Sequence, residues 1–310
     1  MIAVIGAANI DLHTQFEKDI LLRNSNPAIT RTSVGGVSRN VADNLSRLGE
    51  EIMFFTGIGD DLFGREIMHS CRELGIDASH AYLSKEFSTG TYIDILDANS
   101  DMYVAAADTR IIESIPLSYF DEISEYLKSA AAVVVDPNLS AEQLVRIYEV
   151  SGGNRIFIDP TSRARAKKMK NIFNIFHFIK PNNYELEELA DMPIETEEDV
   201  AKGVDFLLGK GVDSVAVSLG EKGCYYADQA GTSLFRPQPY ICEMKNATGG
   251  GDAFLSGYVK SFCDAMPLEY RLDYALACGT LTVMSADSIN ENISDEYVKA
   301  FIDENMKEVK

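Results

Sequence analysis

A chain of 310 residues and 34.2 kDa, 46% apolar and 25% charged, is long enough to hold a core without disulfides or metal. Lys plus Arg number 28 against 48 Asp plus Glu, a formal net charge of −20, and a field of that sign repels a phosphate backbone and excludes a nucleic-acid partner. The five cysteines (Cys71, Cys224, Cys242, Cys263, Cys278) are odd in number and never in C-x-x-C spacing, so free thiols in a reducing compartment are expected. No apolar run reaches the roughly 18 residues of a membrane span. Met1 leads straight into apolar residues with no charged leader, so a cytoplasmic protein without membrane contact is expected.

Residues 2–5 (Ile-Ala-Val-Ile) are a short apolar run ending at Gly6, the pattern of a buried parallel strand. Residues 12–33 are polar and irregular, with a turn at Asn24-Ser25-Asn26-Pro27. Val37, Val41, Leu45 and Leu48 stand at helical spacing and Gly49 stops that helix. A strand at 51–56 and a helix at 63–74 follow. From 79 to 107 the period shortens to alternating segments with turns between, which predicts a small antiparallel element inserted in the chain. The strand–helix rhythm then resumes: helix 117–129, strand 131–135, helix 140–151, strand 155–158, helices 184–191 and 197–209, and strand 213–218. Helices near 252–264, 268–286 and 294–308 close the chain. Such alternation implies a mostly parallel sheet covered on both faces. The expectation is a single α/β domain over 1–310, with a small β lid built from about 12–33 and 79–107.

Ligands of open α/β sheets gather at the carboxyl ends of the strands. Gly6-Ala7-Ala8-Asn9-Ile10-Asp11 after the first strand is not G-x-G-x-x-G, and no Walker sequence occurs anywhere. More informative is Asn246-Ala247-Thr248-Gly249-Gly250-Gly251-Asp252 at a helix entrance. Consecutive glycines let bare N–H groups converge where the helix dipole favours an anion. An acid there either caps the helix or accepts a proton from a hydroxyl that attacks the held phosphoryl group. Gly35-Gly36-Val37-Ser38-Arg39-Asn40 opens another helix, as a tight turn or as a glycine approach to a ligand whose hydroxyls Asn40 would bond. Asn182 and Glu185, one helical turn apart after Lys180-Pro181, suit either a helix cap or a hydrated Mg²⁺. Ser218-Leu219-Gly220-Glu221-Lys222-Gly223 is a strand-end loop that could border a nucleotide. His13, His69, His80 and His177 share no metal-ligand spacing, and only His13, two residues past Asp11, is placed for ligand contact. Arg163, Arg165, Lys167 and Lys168 form a basic run that reads as a solvated face or as a phosphate contact.

Gly35-Gly36 through Asn40, Ala42, Leu45 and Leu48-Gly49, together with Thr248-Gly249-Gly250-Gly251-Asp252, resemble the paired signatures of the ribokinase-like (PfkB) carbohydrate and nucleoside kinases, in the right order across the whole chain. The resemblance implies a three-layer α/β/α fold with a mostly parallel sheet and a β-sheet lid. It also implies ATP and Mg²⁺ as cofactors, and dimerisation through the lid, which is common among relatives. By position it makes Asp252 the base and Gly249, Gly250 and Gly251 the anion hole. Asn9, Asp11, Gly35, Gly36, Asn40 and Asn138 would bind substrate. Asn182, Ser218, Gly220, Gly223 and Thr248 would border ATP, with residues 278–290 on the adenine side, and Glu185 with Asn182 would serve Mg²⁺ through water. Asn24 to Pro27, Asp136-x-Asn138-x-Ser140 and Asn246 set the chain apart from ribose kinases, toward nucleosides phosphorylated at the 5′-hydroxyl. Asn246 stands where the family carries an Asp that helps hold a monovalent cation, so K⁺ dependence is left open. A ribose or other sugar acceptor, and a sugar-binding sensor without catalysis, are the alternatives.

Overall fold

Val, Ile and Phe fill most positions of the central strands, and a strand that buries both faces needs that composition. The computed structural model describes residues 1–99, 101–240 and 243–306. In chain order the strands are β1 (Ile2–Ile5), β2 (Asn9–Phe16), β3 (Ala28–Gly35), β4 (Ile52–Phe55), β5 (Gly57–Gly59), β6 (Tyr82–Ser84), β7 (Gly90–Leu96) and β8 (Met102–Asp108), then β9 (Val133–Val135), β10 (Ile156–Ile158), β11 (Phe178–Ile179), β12 (Ser214–Ser218), β13 (Cys224–Asp228) and β14 (Ser233–Arg236). The main sheet runs β14-β13-β12-β11-β10-β9-β1-β4, parallel from β4 to β12 and finished by an antiparallel hairpin. Side chains alternate between its faces. Val4, Val134, Phe157, Phe178 and Ala216 join the helices Val37–Arg47, Gly250–Cys263 and Leu268–Val283 in one core. Ile5, Val133, Val135, Ile158, Ile179 and Val215 join Ala141–Val150, Asn183–Ala190 and Glu197–Gly209 in the other. These three layers are the α/β/α arrangement that the sequence resemblance implies.

The lid differs from the sequence expectation in detail. Residues 12–33 are irregular only over 17–27: on either side, β2 and β3 form an antiparallel pair in a four-stranded sheet ordered β3-β2-β7-β8. The sheet is mixed rather than antiparallel, because β2 and β7 pair in parallel. It begins at Asn9, and the 82–84 segment pairs with β5 elsewhere. Only one face of this sheet reaches the core, through Ile10, Leu12 and Val34, so β3 and β8 stay wet and lack the apolar alternation that marks a strand. The predicted helix 117–129 breaks at Ile123 into Leu117–Glu122 and Ser124–Ser129. The β13–β14 hairpin and the short helices Arg110–Glu113 and Arg163–Ala166 had no counterpart in the sequence reading. Cys71, Cys224, Cys263 and Cys278 are free, while Cys242 and residues 307–308 of the predicted last helix lie outside the described residues. Among the described residues no helix is long and apolar enough to cross a membrane.

Candidate active site

The carboxyl ends of β1, β9, β10 and β11 converge on the start of the helix Gly250–Cys263. Asp136, just past β9, is buried and accepts hydrogen bonds from the Ala7 N–H (2.8 Å), the Ser38 hydroxyl (2.7 Å) and the Asn138 N–H (2.7 Å). One carboxylate thus fixes the turn after β1, the start of the helix Val37–Arg47 and the turn that carries Asn138.

Gly249 precedes the long helix with φ 82°, and a Cβ there would lie 1.9 Å from the Ser288 carbonyl oxygen, so only glycine admits the turn. The first N–H groups beyond it have no intrahelical acceptor and form the positive end of the dipole. Asp252 does not cap this helix. Its Oδ2 instead accepts from Asn40 Nδ2 at 3.1 Å, which joins the two glycine motifs. Desolvation, then the neighbouring Asp159 carboxylate, push the Asp252 pKa up to about 7; Asn40 and Lys180 pull the other way.

Lys180 and Asp159 form a buried ion pair at 2.6 Å, their side chains only 4% and 6% exposed. Sequence reasoning gave neither a role, although each directly follows a parallel strand, where ligands of such sheets gather. A Cβ on Gly251 would stand 2.9 Å from Lys180 Nζ and 3.2 Å from Asp159 Oδ2, so the pair lies directly under the glycine turn. Asn182 and Glu185 make a reciprocal capping box at 2.9 Å each way, the capping alternative raised by their spacing. Burial, then Asp159, raise the Glu185 pKa to about 7 against the pull of Lys180.

Asn9 Nδ2 donates a short hydrogen bond to Asp11 at the inner end of the lid. A Cβ on Gly35 would sit 2.2 Å from Asp11 Oδ2, so that glycine makes room for the carboxylate. Burial lifts the Asp11 pKa to about 6, opposed by His13 and reinforced by Asp94. Gly36 is the residue before the helix Val37–Arg47. At the other end of the sheet, the Ser218 N–H donates to the Pro181 carbonyl at 2.9 Å, which sets β12 beside the Asn182 turn. Gly220 and Gly223 flank the turn into β13; Gly223 packs on Arg236, whereas a Cβ on Gly220 would meet nothing within 4 Å among the described residues. The Thr248 N–H donates to Asn246 Oδ1 (2.9 Å) and Asn246 Nδ2 to the Ala286 carbonyl (3.1 Å), lacing the glycine loop to the segment after Val283. Of the predicted 278–290 stretch, Cys278 is buried in the helix core, Gly279 and Val283 of the same helix lie against Gly250, and Ser288 in the loop beyond it lies against Gly249. The basic run is a surface feature: Arg163 pairs with Glu187 (2.8 Å) and Lys168 with Glu113 (2.6 Å). His69 and His177 pair with Glu73 and Asp213, and His80 packs on Tyr126.

A carboxyl group that titrates near neutrality, beside free helix N–H groups and a buried cation, can take a proton from an alcohol while an anion is held. The family model for pfkB family carbohydrate kinases matches residues 1–295. The chain belongs to that family, and is therefore a kinase that transfers a phosphoryl group from ATP to an alcohol of a sugar or nucleoside. Among its relatives, the pseudouridine kinase of Escherichia coli K12 is 28% identical over 302 residues, covering 97% of this chain and 96% of that protein. A Clostridium perfringens structure described as a candidate sugar kinase is 28% identical with a TM-score of 0.88, covering 98% and 95% of the two chains. Arabidopsis thaliana ribokinase, solved with ribose and ATP, shares the fold at 19% identity and TM-score 0.86, over 97% and 98%.

Proposed function

We propose that this protein phosphorylates the 5′-hydroxyl of pseudouridine, with the whole chain acting as one kinase domain. The observation that carries the reading is the Asp252 carboxylate, desolvated beside Asn40 and at the open N–H end of a long helix. In the proposed reaction the 5′-oxygen attacks the γ-phosphorus, its O–P bond forming as the bond to the ADP oxygen breaks. Asp252 takes the hydroxyl proton, and the N–H groups at Gly250 and Gly251 hold the migrating phosphoryl oxygens. Asn9, Asp11 and Asn40 would orient the ribose, with Gly35 and Gly36 giving close approach and Asn138 lining the floor. Asn182, Ser218, Gly220, Gly223 and Thr248 would border ATP.

The capping box spends one oxygen of Glu185 on the Asn182 N–H, and the carboxylate fits an oxygen-loving Mg²⁺ held through water. When bound, that ion neutralises charge on the nucleotide phosphates. Asn246 is engaged on both sides of its amide, and the proposed mechanism needs no K⁺ there. The acceptor assignment rests on the likeness to pseudouridine kinase over nearly the whole length and on the Asp136, Asn138 and Asn246 positions. A cytoplasmic location fits the free thiols. A second copy would cover the lid, whose β8 edge is open and whose Ile93, Met102, Tyr103 and Val104 are exposed.

Coupled ADP detection on pseudouridine, uridine, ribose and fructose tests the acceptor: pseudouridine is expected to lead, and brisk ribose turnover without pseudouridine turnover overturns the choice. Asp252→Asn is expected to lower kcat about a hundred- to ten-thousand-fold with nucleoside binding retained. A variant that keeps near-normal turnover refutes the base role.

A further inference from the structure

The lid has two chemically different faces. Ile10, Leu12 and Ile93 point one way, and Asn9, Asp11, His13, Tyr92 and Asp94 the other, because side chains alternate along a strand. On the polar face Asp11 stands opposite Tyr92 and His13 opposite Asp94. His13 Nδ1 and Asp94 Oδ2 are 2.6 Å apart, and His13 Nε2 lies 3.4 Å from the Ser33 hydroxyl. Asp94 is only 6% exposed, yet its Oδ1 is buried with no hydrogen-bond partner among the described residues. Such an oxygen, desolvated and unpaired, is costly unless a ligand supplies the missing donor. A carboxylate only accepts, so the ligand group must carry N–H or O–H.

The position of this pair indicates which part of a nucleoside would supply that donor. His13 and Asp94 lie one side-chain repeat outward from Asp11, about 7 Å along the strand, comparable to the span from ribose hydroxyls to the ring nitrogens of an attached base. We propose that Asp94, oriented by His13, is the base-reading residue of the acceptor site and accepts a hydrogen bond from a ring N–H of the nucleobase. The inference rests on the pseudouridine reading and deepens it. A uracil joined to ribose through carbon keeps its N1–H, which an N-linked uracil has lost to the glycosidic bond. Asp94 then separates the two isomers by the one donor that differs.

Wild-type kcat/KM on pseudouridine, N1-methylpseudouridine, uridine and ribose, repeated for Asp94→Ala and His13→Ala, decides the matter. Methylation at N1 is expected to cost the wild type about 10- to 100-fold, mainly in KM. Asp94→Ala is expected to lose a similar factor on pseudouridine and to accept the methylated base equally well, and His13→Ala to lose less. The analogue arm needs no variant to fold. A wild type that uses pseudouridine, its N1-methyl form and uridine at equal rates overturns this inference and leaves the kinase reading intact. A wild type that turns over ribose but no nucleoside overturns both.

Discussion

Replacing Lys180 by methionine keeps the length of the side chain and removes its charge. The wild-type ammonium sits 2.6 Å from Asp159, with both groups nearly out of water, and Glu185 and Asp252 are close enough to feel it. Removing one partner of such a pair strands the other charge, at about 3–5 kcal/mol. Exchanging both partners for apolar groups of similar volume removes most of that penalty. Urea unfolding of Lys180→Met should therefore show a loss of about 3–5 kcal/mol, and Lys180→Met with Asp159→Leu should recover much of it. The pH profile supplies an independent readout. Lys180 lowers the Asp252 pKa and Asp159 raises it more strongly, and a general base works deprotonated, so the acid limb of kcat/KM, near pH 7 in the wild type, should move to higher pH in the single variant and to lower pH in the double variant. A single variant with wild-type urea stability and an unmoved limb would refute the reasoning.

The glycine turn gives a steric test. Gly249→Ala puts a Cβ 1.9 Å from a backbone oxygen at φ 82°, and should destabilise the protein and suppress kcat; Gly220→Ala at φ 60°, with open space around it, should cost only about 1–2 kcal/mol. Thermal melts of the two separate packing from backbone strain, and equal losses would argue against the tight Ser288 contact. Stability should also depend on pH in an unusual direction. Folding raises Asp11, Glu185 and Asp252 to about 6, 7 and 7. The folded state then binds those protons more tightly; the gain is complete below about pH 4 and is lost as pH rises through 6 to 7. Urea midpoints should fall between pH 5 and 8, and a rise over that window would contradict the burial of these groups. Light scattering should find a dimer, and a monomer at micromolar concentration would remove the lid from the assembly.

The layered sheet was legible because parallel strands buried on both faces are written as apolar runs, and Val133 to Val135 or Ile156 to Ile158 leave little choice. The β2–β3 hairpin was illegible for the converse reason: a sheet wet on one side and edged by solvent has no such run. The glycine motifs announced themselves through composition, and Asp252 through its neighbours. That Asp252 bonds Asn40 rather than caps its own helix depends on a contact 212 residues apart, which no local pattern encodes. The Lys180–Asp159 pair was hidden likewise. Each residue is unremarkable alone, and their partnership exists only because β10 and β11 are adjacent in the sheet.

The Asn40–Asp252 contact also bears on how the chain matures. The amide is made early on the ribosome and the carboxylate late, and the Ser256 hydroxyl reaches the Val41 carbonyl across a similar separation. Closing such loops must be deferred until the C-terminal helices exist. A nascent or truncated chain ending before residue 249 would possess every described strand but, on the proposed mechanism, no means of splitting ATP, so unfinished copies in a cell would be expected to consume no nucleotide.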